Sequence, residues 1–408
     1  MKQLFRRLHA VGTALCVALW CHAVLAESAP QVIKIGTLVA NSGPFEVASQ
    51  NQFNGLKFWA RAVNEKGGAF VKAFGKRVPV KIISYDDRST DYVAKGLYRR
   101  LIRHDRVDIL VADFGSVLTE PAIRLAKKHH MLLIDPTGSS ASFFAAPTDY
   151  LVDVSIPSSQ VWPLPLSQFV LQKKVSRVAV LYAFNPFDSS QARTFSSILI
   201  KNGIYPYLLA LRNSNPDFAA ILHRLQAAHA DAVFEFGYAP NDIAFFQALS
   251  KSGHRFPMTF TIFPGQLLQL ITKKVGAQTL AYSYTYATPP LVQYPHVSYG
   301  MSTPAFVETY QKSMHVRPNF LNAAGYNTGL IVQDMLGKAS RFDQRSFHQA
   351  IMEISGKTTT LLGPFRVNAN GAHLGESLPV AQLVPDHMGG NKMVVVYPKG
   401  TAPEKAGE

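Results

Sequence analysis

Cysteine is almost absent: two occur in 408 residues, Cys16 and Cys21, and both fall within the first 30. That stretch, MKQLFRRLHAVGTALCVALWCHAVLAESAP, has a basic start (Lys2, Arg6, Arg7), an apolar run from Ala10 to Trp20, and small residues at Val24 and Ala26. Those are the parts of a secretory signal peptide cut near Ala26, with the mature chain starting near Glu27. The run falls short of the roughly 20 apolar residues that span a bilayer, so an anchor is the poorer reading. Leu15 before Cys16 and Trp20 before Cys21 do not form a lipid-attachment box. The exported product would then have no thiol and no disulfide, and its stability must come from core burial.

Acidic residues are also scarce, 26 against 41 Lys and Arg, for a formal charge of +15. Loss of the signal lowers this to about +12, and the remaining surplus is scattered in pairs such as Arg99 with Arg100 and Lys273 with Lys274. Pairs near helix ends complement the helix dipole, which excludes a concentrated nucleic-acid surface. A shortage of carboxylates would suit an acidic medium, where protonation of paired carboxylates unfolds proteins. Catalytic signatures are missing too: there is no Gly-x-Ser-x-Gly elbow, no His-Glu-x-x-His and no Gly-x-x-x-x-Gly-Lys loop. His129, His130, His223 and His229 sit on or at the ends of expected helices without a companion carboxylate motif, so neither catalysis nor a metal is expected.

What is present is alternation. Apolar β-branched runs at 32–38, 78–85, 108–112, 131–134 and 150–154 read as strands, separated by amphipathic stretches at 53–64, 92–104 and 119–129 that read as helices. The register restarts with strands at 177–181, 205–210 and 231–235 and helices at 190–201, 218–228 and 241–251. Helices at 303–314, 322–338 and 343–354 follow, then short strands near 361–367, 380–384 and 393–396. Repeated βα units predict an α/β protein with parallel sheets, and about 380 mature residues are more than one core covers.

The order of short strings carries a resemblance. Ile33-Lys34-Ile35-Gly36, Ser42-Gly43-Pro44, Asn54-Gly55-Leu56, Val63-Asn64-Glu65-Lys66-Gly67-Gly68 and Tyr85-Asp86-Asp87 follow one another. In that order they resemble the periplasmic solute-binding proteins of ABC transporters, in the leucine/isoleucine/valine-binding branch. The resemblance implies a type I periplasmic binding protein fold: two Rossmann-like lobes joined by a three-crossing hinge, with crossings near 154–157, 287–290 and 361–364. Lobe one would hold residues 27–155 and 290–362, and lobe two 156–289 and 363–408. It further implies a monomeric periplasmic receptor without cofactor that hands a hydrophobic amino acid to an inner-membrane ABC permease.

Asp113-Phe114-Gly115-Ser116 lies between a strand end and a helix start, where α/β sheets place ligands and where free N–H groups welcome a carboxylate. Gly115 permits close backbone approach. The resemblance gives Ser116 a ligand role, although Ser116 or Thr119 could equally be a helix cap. Thr137 and Ser139, in Asp135-Pro136-Thr137-Gly138-Ser139-Ser140, match a second ligand loop that could otherwise be an ordinary turn. Phe187 and Tyr238 match aromatics of lobe two, with core packing the alternative for Phe187. Two positions depart from the pattern. Ile262 and Phe263 stand where amino acid binders of the branch carry a carboxylate for the ligand's ammonium, leaving Asp113 as the expected substitute. Ala48 replaces a frequent aromatic, which would enlarge the side-chain pocket. A ligand without an ammonium, an aromatic or aliphatic acid, is the second reading, and a secreted α/β hydrolase the third.

Overall fold

The computed structural model describes residues 29–398 except Lys174, Ser214, Glu376 and Ser377. The expected signal peptide and residues 399–408 lie outside the described residues. Two separate sheets dominate. The first runs Val80–Asp86, Ile33–Val39, Ile109–Val111, Leu133–Asp135, Leu151–Asp153, with every neighbour parallel. Its middle strand, Ile109-Leu110-Val111, is short and wholly apolar, with all three residues buried, as in a parallel sheet covered on both faces.

The second sheet runs Asn391–Tyr397, Val380–Pro385, Tyr284–Tyr286, Met258–Phe260, Ala232–Phe236, Val178–Ala183, Tyr207–Leu211. Its five earlier strands are parallel, and a closing antiparallel hairpin forms one edge. In both sheets the strand order reverses beside the first strand: Ile33–Val39 lies between Val80–Asp86 and Ile109–Val111, and Val178–Ala183 between Tyr207–Leu211 and Ala232–Phe236. Such a reversal opens a crevice at the carboxyl ends of the strands, which is where α/β proteins hold ligands.

The first sheet's core draws on distant sequence. Ile33, Val111 and Ile134 share a cluster with Phe306, Tyr326, Met335 and Phe347. The helix Glu46–Asn64 crosses the helix Phe320–Lys338 so closely that a Cβ added at Gly55 would strike the Asn322 carbonyl, and one added at Gly325 the Gln52 carbonyl. Asn322 Nδ2 also donates to the Asn51 carbonyl at 2.9 Å. Helices Pro163–Gln172 and Pro264–Val275, unforeseen in the sequence, pack on the second sheet.

Candidate functional site

The two crevices face one another. On the first lobe, the helix expected from residue 119 starts four residues earlier and spans Gly115–His129. Gly115 has φ +74°, the left-handed region that glycine enters without strain, and beyond this sharp turn the Ser116 N–H reaches the Tyr238 hydroxyl of the opposite lobe. Capping does not explain the serine: Phe114 is the cap residue and no side chain caps the helix. The Ser116 hydroxyl instead accepts the Ser140 N–H at 3.1 Å, which ties the two expected ligand loops together, while the Thr119 hydroxyl donates to the Asp113 carbonyl.

Thr137 Oγ1 accepts the Gly115 N–H at 3.0 Å and donates to Gln52 Oε1 at 2.7 Å. Ser139 is fully buried and its hydroxyl has no hydrogen-bond partner, an arrangement native interiors avoid unless a ligand or water completes it. Ser116 and Thr137 thus meet at the start of one helix, and Ser139 precedes Ser140, whose N–H binds the Ser116 hydroxyl.

Asp113 points elsewhere. Its Oδ1 accepts from Ser49 Oγ at 2.6 Å and from the Phe114 N–H at 2.7 Å, inside the first lobe. Burial, and then the charge of Asp87, hold its carboxyl well above the usual carboxylate range. The Tyr98 hydroxyl accepts the Asp113 N–H of the same turn at 2.8 Å. Asp113 therefore braces the ligand loop from behind.

The second lobe contributes aromatic rings. Tyr238 lies 4.9 Å from Phe45, 5.5 Å from Phe187, 5.6 Å from Phe263 and 5.9 Å from Phe114, centroid to centroid. Phe187 in turn meets Trp162 edge-on at 5.3 Å, so it belongs both to the second lobe's core and to the cleft wall. Ala48 lies beside these rings and borders a cavity of about 410 Å³ at the cleft mouth, together with Val47, Ile243 and Leu270.

Behind the rings stands a group the sequence reading missed. Asp188, Glu235 and Asp242 are fully buried; Glu235 and Asp242 bear on one another and Asp242 on the Thr261 hydroxyl, while Asp188 Oδ1 has no hydrogen-bond partner. Asp242 Oδ2 accepts the Phe263 N–H at 2.7 Å, which sets the cluster directly behind the ring facing Tyr238. Burial raises all three carboxyls, Asp242 to about 7 and the other two well above the usual range. Among the described residues, no ion pair reaches them. One signal was legible: Glu235 interrupts the otherwise apolar strand Ala232–Phe236, and a charge in a central strand is rarely buried without purpose.

The comparisons agree with this architecture. The family described as Periplasmic binding protein matches residues 32–390. A Leu/Ile/Val-binding protein homolog 7 from Brucella suis is 23% identical over 409 residues, covering 95% of this chain and 97% of that protein. Among solved structures, a leucine binding protein from Thermotoga maritima superposes with a TM-score of 0.76 at 16% identity, covering 90% of this chain and 99% of that one. A solute binding protein from R. palustris in complex with benzoate superposes with a TM-score of 0.73 at 14% identity, covering 92% and 98%.

Proposed function

Because the chain belongs to the periplasmic binding protein family, matched over residues 32–390, we propose that it is an extracytoplasmic receptor for a hydrophobic amino acid. It would deliver that ligand to an ABC permease of the inner membrane, without catalysis. Residues 154–157, 287–290 and 361–364 serve as the hinge between lobes. The observation that carries the reading is the pairing of two unlike half-sites across one cleft. The first lobe offers helix N–H groups and hydroxyls suited to a carboxylate, and the second offers rings backed by buried carboxyl groups that no ion pair among the described residues reaches, suited to an ammonium. Asp188, Glu235 and Asp242 supply the acid that Ile262 and Phe263 lack.

Replacing Ser116 with Ala should weaken binding of a carboxylate ligand by about 1.5–3 kcal/mol, the range for a hydrogen bond to a charged group. Calorimetry on the variant checks this, and unchanged affinity would remove Ser116 from the site.

A second reading has its own support. The rings of Phe45, Phe114, Phe187, Tyr238 and Phe263 pack on one another across the cleft, an aromatic lining suited to an aromatic acid once the lobes part, and the R. palustris neighbour was solved with benzoate. Protons separate the two. An ammonium entering beside Asp242, whose carboxyl is raised to about 7, lowers that value and expels protons. Leucine and phenylalanine should therefore bind with proton release, seen as a buffer-dependent enthalpy, and with affinity rising from pH 6 to pH 8. The deaminated partners 4-methylpentanoate and 3-phenylpropanoate should show neither effect. Tighter binding of the deaminated partners would decide for the aromatic or aliphatic acid, and silence from all four probes would reject both readings.

A further inference from the structure

Asp113 has a buried companion behind the first ligand loop. Asp87 follows the strand Val80–Asp86, which flanks Ile33–Val39 on the side opposite the strand leading to Asp113, and both carboxyls are fully buried. One oxygen of each is anchored close by: Asp87 Oδ1 accepts the Ser89 N–H at 3.0 Å, as Asp113 Oδ1 accepts from Ser49 Oγ and the Phe114 N–H. Neither Oδ2 receives a bond from a donor group among the described residues, and the two side chains bear on one another through a hydrogen bond. Ionised carboxylates only accept, so that contact needs a proton. A single one held between them satisfies both orphan oxygens and spares the site a second negative charge.

No cation offers another way to settle the pair. Asp86 at the neighbouring strand end, Tyr98 on the helix Asp91–Arg103 and Asp135 beyond it are the titratable groups whose fields reach this corner, all of them acidic. The helix Glu46–Asn64 contributes the neutral side chains of Ser49 and Gln52. Arg88, next in the chain, is exposed, and among the described residues no ion pair reaches either carboxyl. On the other side of Asp113 the links run straight to the seat. The Phe114 N–H is held by the Asp113 carboxyl and the Asp113 N–H by the Tyr98 hydroxyl, and the next two residues are Gly115 and Ser116.

We propose that Asp87 is a positioning residue: the proton it shares with Asp113 fixes the loop Asp113–Ser116, so that the carboxylate seat at the start of the helix Gly115–His129 keeps its form only while that proton is bound. That this helix start seats a ligand carboxylate is the function proposed above, and the inference rests on it. Loss of the proton sets two like charges face to face in a buried site, and Asp113, the one joined to the loop, carries the displacement to Ser116. It also adds a negative charge behind the place where the ligand's own carboxylate lies. Burial raises both carboxyls, and the charge of Asp87 raises Asp113 further. The folded protein therefore holds the proton more tightly than the unfolded chain, and binding is intact on the acid side and weakens as pH rises through the pair's folded value.

Asparagine in place of Asp87 tests this, since an amide donates to Asp113 Oδ2 and has no proton to lose. Calorimetry on the full mature chain with leucine and with 3-phenylpropanoate is run at rising pH, and the affinity of Asp87→Asn is divided by that of wild type, which cancels proton effects arising in the second lobe. For whichever probe binds, the ratio should climb about tenfold per pH unit beyond the pair's folded value, the slope of one linked proton. Carbon-13 NMR of the aspartate carboxyls gives a readout without ligand: the signal that Asp113→Asn deletes should titrate well above the ordinary carboxylate range in wild type, and lower in Asp87→Asn. Asp113→Asn is the mirror variant if the first does not fold, because its oxygen can still accept from Ser49 and Phe114 while its amide donates to Asp87, and there the Asp87 signal should titrate lower than in wild type. A flat ratio with a bound probe, or an Asp113 carboxyl that titrates alike in wild type and Asp87→Asn, would overturn the proposal. If neither probe binds, the proposed function fails, while the NMR still decides whether the two carboxyls share a proton.

Discussion

Gly325→Val should destabilise the protein by about 4 kcal/mol or more, enough to place it among the rare severe substitutions. At this position the helices Glu46–Asn64 and Phe320–Lys338 touch backbone to backbone, and any Cβ at 325 collides with the Gln52 carbonyl, which belongs to the opposing main chain. A flexible side chain could swing aside, but a helical carbonyl cannot. Overpacking alone costs about 1–3 kcal/mol where neighbours yield, and here separation of the helices would also uncover Leu56, Trp59, Tyr326 and Leu330. Gly337 provides the control. It lies in the same helix with no atom within 4 Å of an added Cβ, so Gly337→Ala should gain roughly 0.5–1 kcal/mol from helix propensity. Urea unfolding of both variants measures the contrast, and equal midpoints would refute the account of the crossing.

Thermal stability should fall as pH rises from 6 to 8, by about 3 kcal/mol or more, a downward shift of roughly 5 °C or more in midpoint. Seven buried carboxyls, Asp87, Asp113, Asp135, Asp153, Asp188, Glu235 and Asp242, are raised, each chiefly by burial. Each binds its proton more tightly folded than unfolded. Their contribution is complete below the ordinary carboxylate value of about 4 and is lost as pH climbs through the folded values, about 7 for Asp135 and Asp242. Buried His373 works the other way: burial lowers it to about 3, so its contribution is present above the usual histidine value near 6.5 and lost as pH falls toward 3. Half-buried His348 is lowered likewise. Carboxyls outnumber histidines, so the maximum should lie on the acid side of neutrality. Calorimetric scans across the range check the sign, and a midpoint rising toward pH 8 would sink the argument.

The α/β alternation and the family were legible because buried parallel strands are written as continuous apolar runs and because Gly43, Gly55, Gly67 and Gly68 punctuate them in a recognisable order. Less legible were the helix starts. The helix expected over 119–129 begins at Gly115 and carries Pro121 inside it, beyond the first turn that proline prefers. Pro163 and Pro264 each open a helix that the sequence reading did not place, proline at the first helical position being preorganised for a helix. The proposed carboxylate seat could be located in the sequence because strand end, glycine and serine are contiguous there. The acid cluster could not, since Asp188, Glu235 and Asp242 come from three different elements and meet only when the strands Val178–Ala183 and Ala232–Phe236 pair.

The close crossing of the helices Glu46–Asn64 and Phe320–Lys338 also imposes an order of assembly. The hydrogen bond from Asn322 to Asn51 spans 271 positions, so the first sheet's core cannot finish until nearly the whole chain has emerged. The parallel strands from Val178 to Tyr286 find their partners within about a hundred residues of one another. Closing so long a loop delays the first lobe, because the entropy of bringing its ends together is spent before the apolar contacts form. For a chain made amino terminus first, the early segments wait longest with Trp59 and its neighbours uncovered, and it is during this interval that the protein is most open to aggregation and proteolysis.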